Sequence, residues 1–138
     1  MSTTLFFERS GLAASDSAVV GEFVNHVNGG ALAPLVSLFA ADAHVNDQLR
    51  NFWGLASITD WLKHEIVGDQ VRMAVRSVRK HYDVVILEVE MSGDFAVAGA
   101  LQPVVVDCHF TLHGAKIIRL LMLLARQDSA EPEVRQRR

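Results

Sequence analysis

Apolar positions along the chain recur first at helical spacing and then in strand alternation, and the change falls near residue 70. Val19, Val20, Phe23, Val24 and Val27 share one helical face from about Asp16, and Asn28-Gly29-Gly30 supplies the left-handed stop that ends a helix. Leu32, Leu35, Val36 and Phe39 keep the same period, so residues 31–40 are expected to form a second helix. Pro34 sits in its first turn, where a missing N–H is harmless. After Gly54, Ser57 is placed to cap a third helix whose stripe of Ile58, Trp61, Leu62, Glu65 and Ile66 ends at Gly68.

Beyond Gly68 the period becomes two. Val71, Met73 and Val75 alternate with Arg72 and Arg76, and residues 71–79 and 82–91 form an expected antiparallel hairpin with Lys80 and His81 at its turn. Residues 103–112 and 117–125 form a second hairpin around His113-Gly114-Ala115-Lys116, with Gly93 and Gly99 marking an irregular stretch between the two. Three helices, a short extended segment near residues 43–48 and four long strands predict an α+β fold. In it a curved antiparallel sheet closes over three amphipathic helices and leaves a pocket between its concave face and the helices. The core spans about residues 16–125. The apolar knot Leu5-Phe6-Phe7 receives no assignment, and the polar tail from Gln127 is expected to be disordered.

Composition narrows the class. The 138 residues suit one domain that needs no disulfide or structural metal, half of them are hydrophobic, and charges of both signs are mixed along the chain. A net charge of -3 predicts no attraction to nucleic acid or anionic membrane. A single cysteine, Cys108, excludes an internal disulfide, and no basic-then-apolar leader opens the sequence, which makes the reducing cytoplasm the expected compartment. The longest apolar run, residues 117–125, is broken by Arg119 and is about half the length of a membrane helix.

One residue stands out against this background. In the segment Ala43-His44-Val45-Asn46-Asp47 the side chains alternate, so if Val45 faces the core, Asp47 faces it too. An ionised carboxylate there is costly unless it lies at a pocket mouth or has a partner, the setting a general base needs. The alternative is a strand that ends at Asn46, with Asp47 a solvated turn residue capping a neighbouring N–H.

The run from Leu38 to Asp69, followed by two hairpins with Phe110-Thr111-Leu112-His113-Gly114-Ala115-Lys116-Ile117 opening the last, resembles the nuclear transport factor 2-like superfamily. Within it, the likeness is to the SnoaL-like polyketide cyclase and ketosteroid isomerase group. The spacing of Phe39, Asp42, Asp47, Gly54, Ile58 and Trp61 carries the resemblance, which covers about residues 16–125. It implies a cone-shaped α+β barrel with an apolar pocket, often a homodimer through the sheet, and it places Asp47 at the isomerase's catalytic base, a carboxylate that moves a proton beside a carbonyl. The isomerase's phenolic oxyanion donor falls at Phe23, which has no hydroxyl, and its second donor falls at Asp107 or Cys108. The alternation Val104, Val106, Cys108, Phe110, Leu112 turns those five inward and leaves Asp107 and His109 outward, as candidate second polar groups or interface residues. Epoxide hydrolases of the superfamily are less similar, because they carry an acid on the final strand and residues 116–125 have none.

Around Asp47, the expected pocket wall comprises Phe23, Phe39, Trp53, Trp61, Cys108 and Phe110, with Arg50 and Glu65 as charged neighbours. Ordinary core packing at helical spacing accounts better for Phe23 and as well for the tryptophans, and Cys108 is most simply a small buried hydrophobe. Glu65 either reaches the cavity or pairs with Arg50 at the rim, and Arg50 either holds an acidic substrate or neutralises Asp47. The six histidines lack metal-ligand spacing: His109 and His113 are about 13 Å apart along an extended strand. No cofactor or metal is therefore expected. Two functions remain. One is a cofactor-independent enzyme that binds a small hydrophobic carbonyl compound and isomerises or cyclises it with Asp47 as general base. The other is a non-catalytic ligand-binding or dimerisation module of the same fold.

Overall fold

The computed structural model describes residues 11–95 and 101–125; the Leu5-Phe6-Phe7 knot, Gly99 and the tail from Gln127 lie outside them. Helix α1 (Ala14–Gly29) ends where expected, with Gly30 in the left-handed conformation at φ 63° and bonded back to Val27. Helix α2 (Leu32–Ser37) is shorter than its periodicity predicts, and Phe39 begins strand β1 (Phe39–Asp47) instead of closing the helix. Pairing of Phe39 with Ile117, and the bond from the Ile117 N–H to the Leu38 carbonyl at 2.8 Å, hold this segment extended. Sheet pairing here overrides helical spacing.

Strand β2 (Arg50–Trp53) forms a tight hairpin with β1, and it has no counterpart in the expected elements. Gln48 and Leu49 turn the chain with φ of 54° and 71°, an unusual conformation for residues other than glycine, asparagine and aspartate. Helix α3 (Gly54–Trp61) follows β2 directly, so Ser57 lies inside it rather than at its cap. The helix then widens into a π-helical turn (Leu62–Val67). At its end the Gly68 N–H bonds the Lys63 carbonyl at 2.9 Å, and a Cβ on Gly68 would stand 2.5 Å from the His64 carbonyl oxygen. Only glycine fits that close approach.

Strands β3 (Arg72–His81), β4 (Val84–Ser92), β5 (Val104–His113) and β6 (Lys116–Leu124) complete a curved sheet in the order β2-β1-β6-β5-β4-β3. It is mixed rather than wholly antiparallel, because β1 runs parallel to β6. Parity on β5 is as the alternation predicts from Val104 to Phe110: Val104, Val106, Cys108 and Phe110 are buried, Val105, Asp107 and His109 are only partly so, and Leu112, beyond the register shift after Thr111, is partly buried too. A bulge between Val75 and Ser77 carries Arg76 outward toward Glu88 and Glu90. Asn28 at the end of α1 joins the edge of β3, its amide donating to the Met73 carbonyl at 2.9 Å and accepting from the Met73 N–H at 2.7 Å.

The concave face packs on the helices, and Phe23 joins two other rings in its core. The Phe23 ring meets Phe110 at 5.2 Å and Phe39 at 6.4 Å between centroids, both edge to face, with Leu35, Ile117 and Leu120 fully buried beside them. No helix among the described residues is long and apolar enough to cross a membrane.

Candidate functional site

The far end of the cone is built differently. The C-terminal ends of β1, β4 and β6 and the start of β5 converge there, and between them and the π-helical turn lies a cavity of about 400 Å³. Its apolar wall is formed by Ile66, Val71, Met91, Val104, Val106 and Met122, with Phe95 and Leu124 also lining it; its polar residues are Asp47, Gln48, Arg50, Glu65 and Asp69. A volume of this size suits a ligand of one or two rings.

Asp47 is the last residue of β1, and Ala43 and Val45, which share its face, are fully buried. Its side chain is 15% exposed. The inner-facing half of the strand thus delivers a carboxylate to the cavity while solvent still reaches it. Both bonds that hold it use one oxygen: the Trp61 indole Nε1 donates to Oδ2 at 3.0 Å, and Arg50 Nη2 donates to Oδ2 at 3.1 Å. Oδ1 accepts no hydrogen bond from the described residues, and it is not a buried unsatisfied atom. One carboxylate oxygen is anchored and the other is available.

The supports of Asp47 come from three elements. Arg50, paired with Asp47 across the hairpin, spends its guanidinium on Glu65, with Nη1 to Oε2 at 3.0 Å and Nη2 to Oε1 at 2.6 Å. This fork raises the Arg50 pKa above its ordinary value, chiefly through the hydrogen bond to Glu65, with desolvation opposing and the charges of Glu65 and Asp47 adding. The π-helical turn is what brings Glu65 to the hairpin while Trp61, four residues earlier, reaches Asp47. Gln48 then fastens the hairpin to β6: its N–H and its Nε2 both donate to the Met122 carbonyl at 3.0 Å, and its Oε1 accepts from the Leu124 N–H at 3.0 Å.

The aromatic wall expected from the sequence is relocated. Phe23, Phe39 and Phe110 fill the closed end and do not line this cavity. Cys108 is fully buried between Leu87 and Met122 in the sheet, with its thiol pKa driven well up by burial and, secondarily, by the charges of Asp107 and Asp47. Trp61 stands behind Asp47 as a hydrogen-bond donor rather than on the cavity wall. Trp53 lies on the convex side, 63% exposed and stacked on His44 at 3.8 Å, because it pairs with His44, whose parity is opposite to that of Val45. Asp107 and His109 share that convex side, opposite Leu123 and Leu121, and do not converge on Asp47. Gln48, Asp69, Met91 and Val71 are cavity residues that sequence reasoning missed. The parity of β4 and β5 was a usable signal for Met91, whereas Asp69 follows the π-helical turn, which has no sequence signature. Among the described residues no group of three or more His, Cys, Asp or Glu side chains is placed to hold a metal ion.

Comparison with solved structures identifies the fold. A candidate polyketide cyclase from Sinorhizobium meliloti superposes with a TM-score of 0.68 and 22% identity over 77% of this chain and 94% of that one. An NTF2-like protein of unknown function from Cytophaga hutchinsonii gives 0.66 and 11% over 83% and 92%. A protein with a ketosteroid isomerase-like fold from Catenulispora acidiphila, in complex with trimethylamine, gives 0.63 and 21% over 78% and 85%. The chain shares the α+β cone fold of these proteins, one of which is described as NTF2-like, and this is the fold that the sequence resemblance implied. No family model and no curated protein matches the chain in sequence.

Proposed function

We propose that the protein binds a small, largely apolar carbonyl compound in the cavity beside Asp47 and that Asp47 Oδ1 takes a proton from the carbon next to the carbonyl. The observation that carries this reading is the division of labour within one carboxylate of a cavity-lining residue: Oδ2 is fixed by Trp61 and Arg50, and Oδ1 accepts no hydrogen bond from the described residues. A base held rigidly by one oxygen reacts with the other without reorganising. Isomerisation and cyclisation both need that step, and structural neighbours include proteins described as cyclase-like and isomerase-like.

One observation favours the ligand-binding alternative. Among the described lining residues, the side-chain donors are already engaged: Gln48 on Met122 and Arg50 on Glu65 and Asp47. A developing enolate oxygen therefore meets only donor groups that already hold the hairpin together, although dedicated donors are a large part of catalysis in this kind of chemistry.

Exchange of the α-protons of 2-tetralone in D₂O, followed by proton NMR, separates the two. The enzyme reading predicts exchange well above the buffer rate, lowered by about 10²–10⁴ in Asp47→Asn. Exchange at the buffer rate while 2-tetralone occupies the cavity contradicts proton transfer and leaves binding. A second copy covering the convex sheet, where Val105, Leu121 and Leu123 are only partly buried, is the proposed partner. Sedimentation as a monomer at micromolar concentration would contradict that pairing.

A further inference from the structure

The charges of the cavity residues do not balance. Asp47, Glu65 and Asp69 face a single cation, Arg50, and every described donor contact of that guanidinium goes to Glu65 or Asp47. An anionic ligand therefore meets, among the described lining residues, one cation whose charge two carboxylates already match. Two acceptors remain open instead. One is Asp47 Oδ1. The other is the Asp69 carboxylate, which makes no hydrogen bond or ion pair with any described residue.

Asp69 is held in place through its backbone rather than its side chain. Asp94 N–H donates to the Asp69 carbonyl at 2.6 Å, and the neighbouring turn is braced by bonds from Gln70 to Val67 and from Val71 to Ile66, each at 3.0 Å. A Cβ on Gly93 would stand 2.8 Å from the same Asp69 carbonyl, so the segment just after β4 and this turn lie in close contact. A partly buried carboxylate with fixed backbone and a free head is placed to meet a ligand group.

We infer that the cavity selects a ligand with a protonated amine on an apolar body, and that Asp69 is the residue that sets this preference. The inference rests on the cavity being the ligand site, as proposed above. A ligand that carries its own cation also brings positive charge to a site whose one guanidinium among the described residues is already paired with carboxylates.

Three probes of one skeleton test it: 1-naphthylmethylammonium, 1-naphthalenemethanol and 1-naphthoate, titrated calorimetrically at neutral pH and low salt, with methionine-methyl NMR locating each probe. The expected order is ammonium, then alcohol, then carboxylate, with about tenfold between steps, compressing as salt is added. Asp69→Asn removes most of the ammonium advantage, and Asp69→Lys reverses the order, both variants keeping the wild-type circular dichroism spectrum. Equal affinities for ammonium and alcohol at Met91 and Met122, or an ammonium advantage unchanged in both variants, overturn the charge preference while leaving the cavity as a ligand site. If no probe perturbs Met91 or Met122, the cavity reading fails and this inference fails with it.

Discussion

The two ends of the cone are made from the same strands and the same inward parity, yet they serve opposite purposes. At the closed end Phe23, Phe39 and Phe110 interlock with Leu35 and Leu120, and no described polar side chain is buried there. At the open end the inward positions carry Asp47, Met91, Val104, Val106 and Met122, and a void of about 400 Å³ remains. The difference lies in what opposes the sheet: aromatic side chains and α2 at one end, and at the other a π-helical turn and a hairpin that meet through charges. The lesson is that a curved sheet supplies enclosure at both ends, and the packing of the helices decides which end becomes core and which becomes site.

The largest effect expected from breaking this contrast is at the closed end. Phe23→Ala removes the ring at the centre of the aromatic cluster and is expected to lower the unfolding free energy by about 3–5 kcal/mol in urea titrations, while the folded fraction still binds 1-naphthalenemethanol. Trp61→Phe comes next. It keeps most of the packing against Phe52 but removes the bond to Asp47 Oδ2, a loss of about 1.5–3 kcal/mol. If Trp61 positions the base, the α-exchange rate falls at unchanged probe affinity, a split that a purely structural role would not produce.

A smaller effect is read by pH. Burial keeps the Cys108 thiol protonated above its ordinary pKa of 9.0, so the unfolded chain releases that proton before the folded one does. Its contribution to stability is complete below that pH and declines as pH rises past it, by at most about 1.4 kcal/mol per pH unit. Cys108→Ala should flatten this alkaline slope, and the wild-type thiol should resist iodoacetamide until the protein unfolds. Smallest in stability is Arg50→Gln. The Arg50 and Glu65 side chains are 53% and 36% exposed, so the pair contributes no more than about 1 kcal/mol to stability. The same change removes the one cation among the described lining residues and is expected to widen the ammonium preference.

Much of this division was legible in the chain. Parity alone turned Val45 and Asp47 inward together and sorted Val104, Val106, Cys108 and Phe110 from Asp107 and His109, because strand alternation is a local property that packing preserved. The β2 hairpin was not legible, since Gln48 and Leu49 are not residues that signal a left-handed turn; contacts of Gln48 with β6 hold it. Residues 39–40 were misjudged for a related reason: their apolar spacing suits a helix, and only the distant partner Ile117 makes them a strand. The aromatic wall failed because residue type says that a ring is buried but not at which end of a cone. Trp53 left the interior altogether once β2 fixed its register against His44.

The account's central claim is that an open, apolar cavity lies beside Asp47 and not around Phe23. Labelling the methionine methyl groups with ¹³C and adding 1-naphthalenemethanol tests it most directly, because Met91 and Met122 line the cavity whereas Met73 is buried elsewhere in the same core. Saturable shifts of the Met91 and Met122 methyl signals with Met73 unmoved are predicted. Saturable shifts of Met73 alone, or no saturable shift at Met91 and Met122 at millimolar probe, would contradict it.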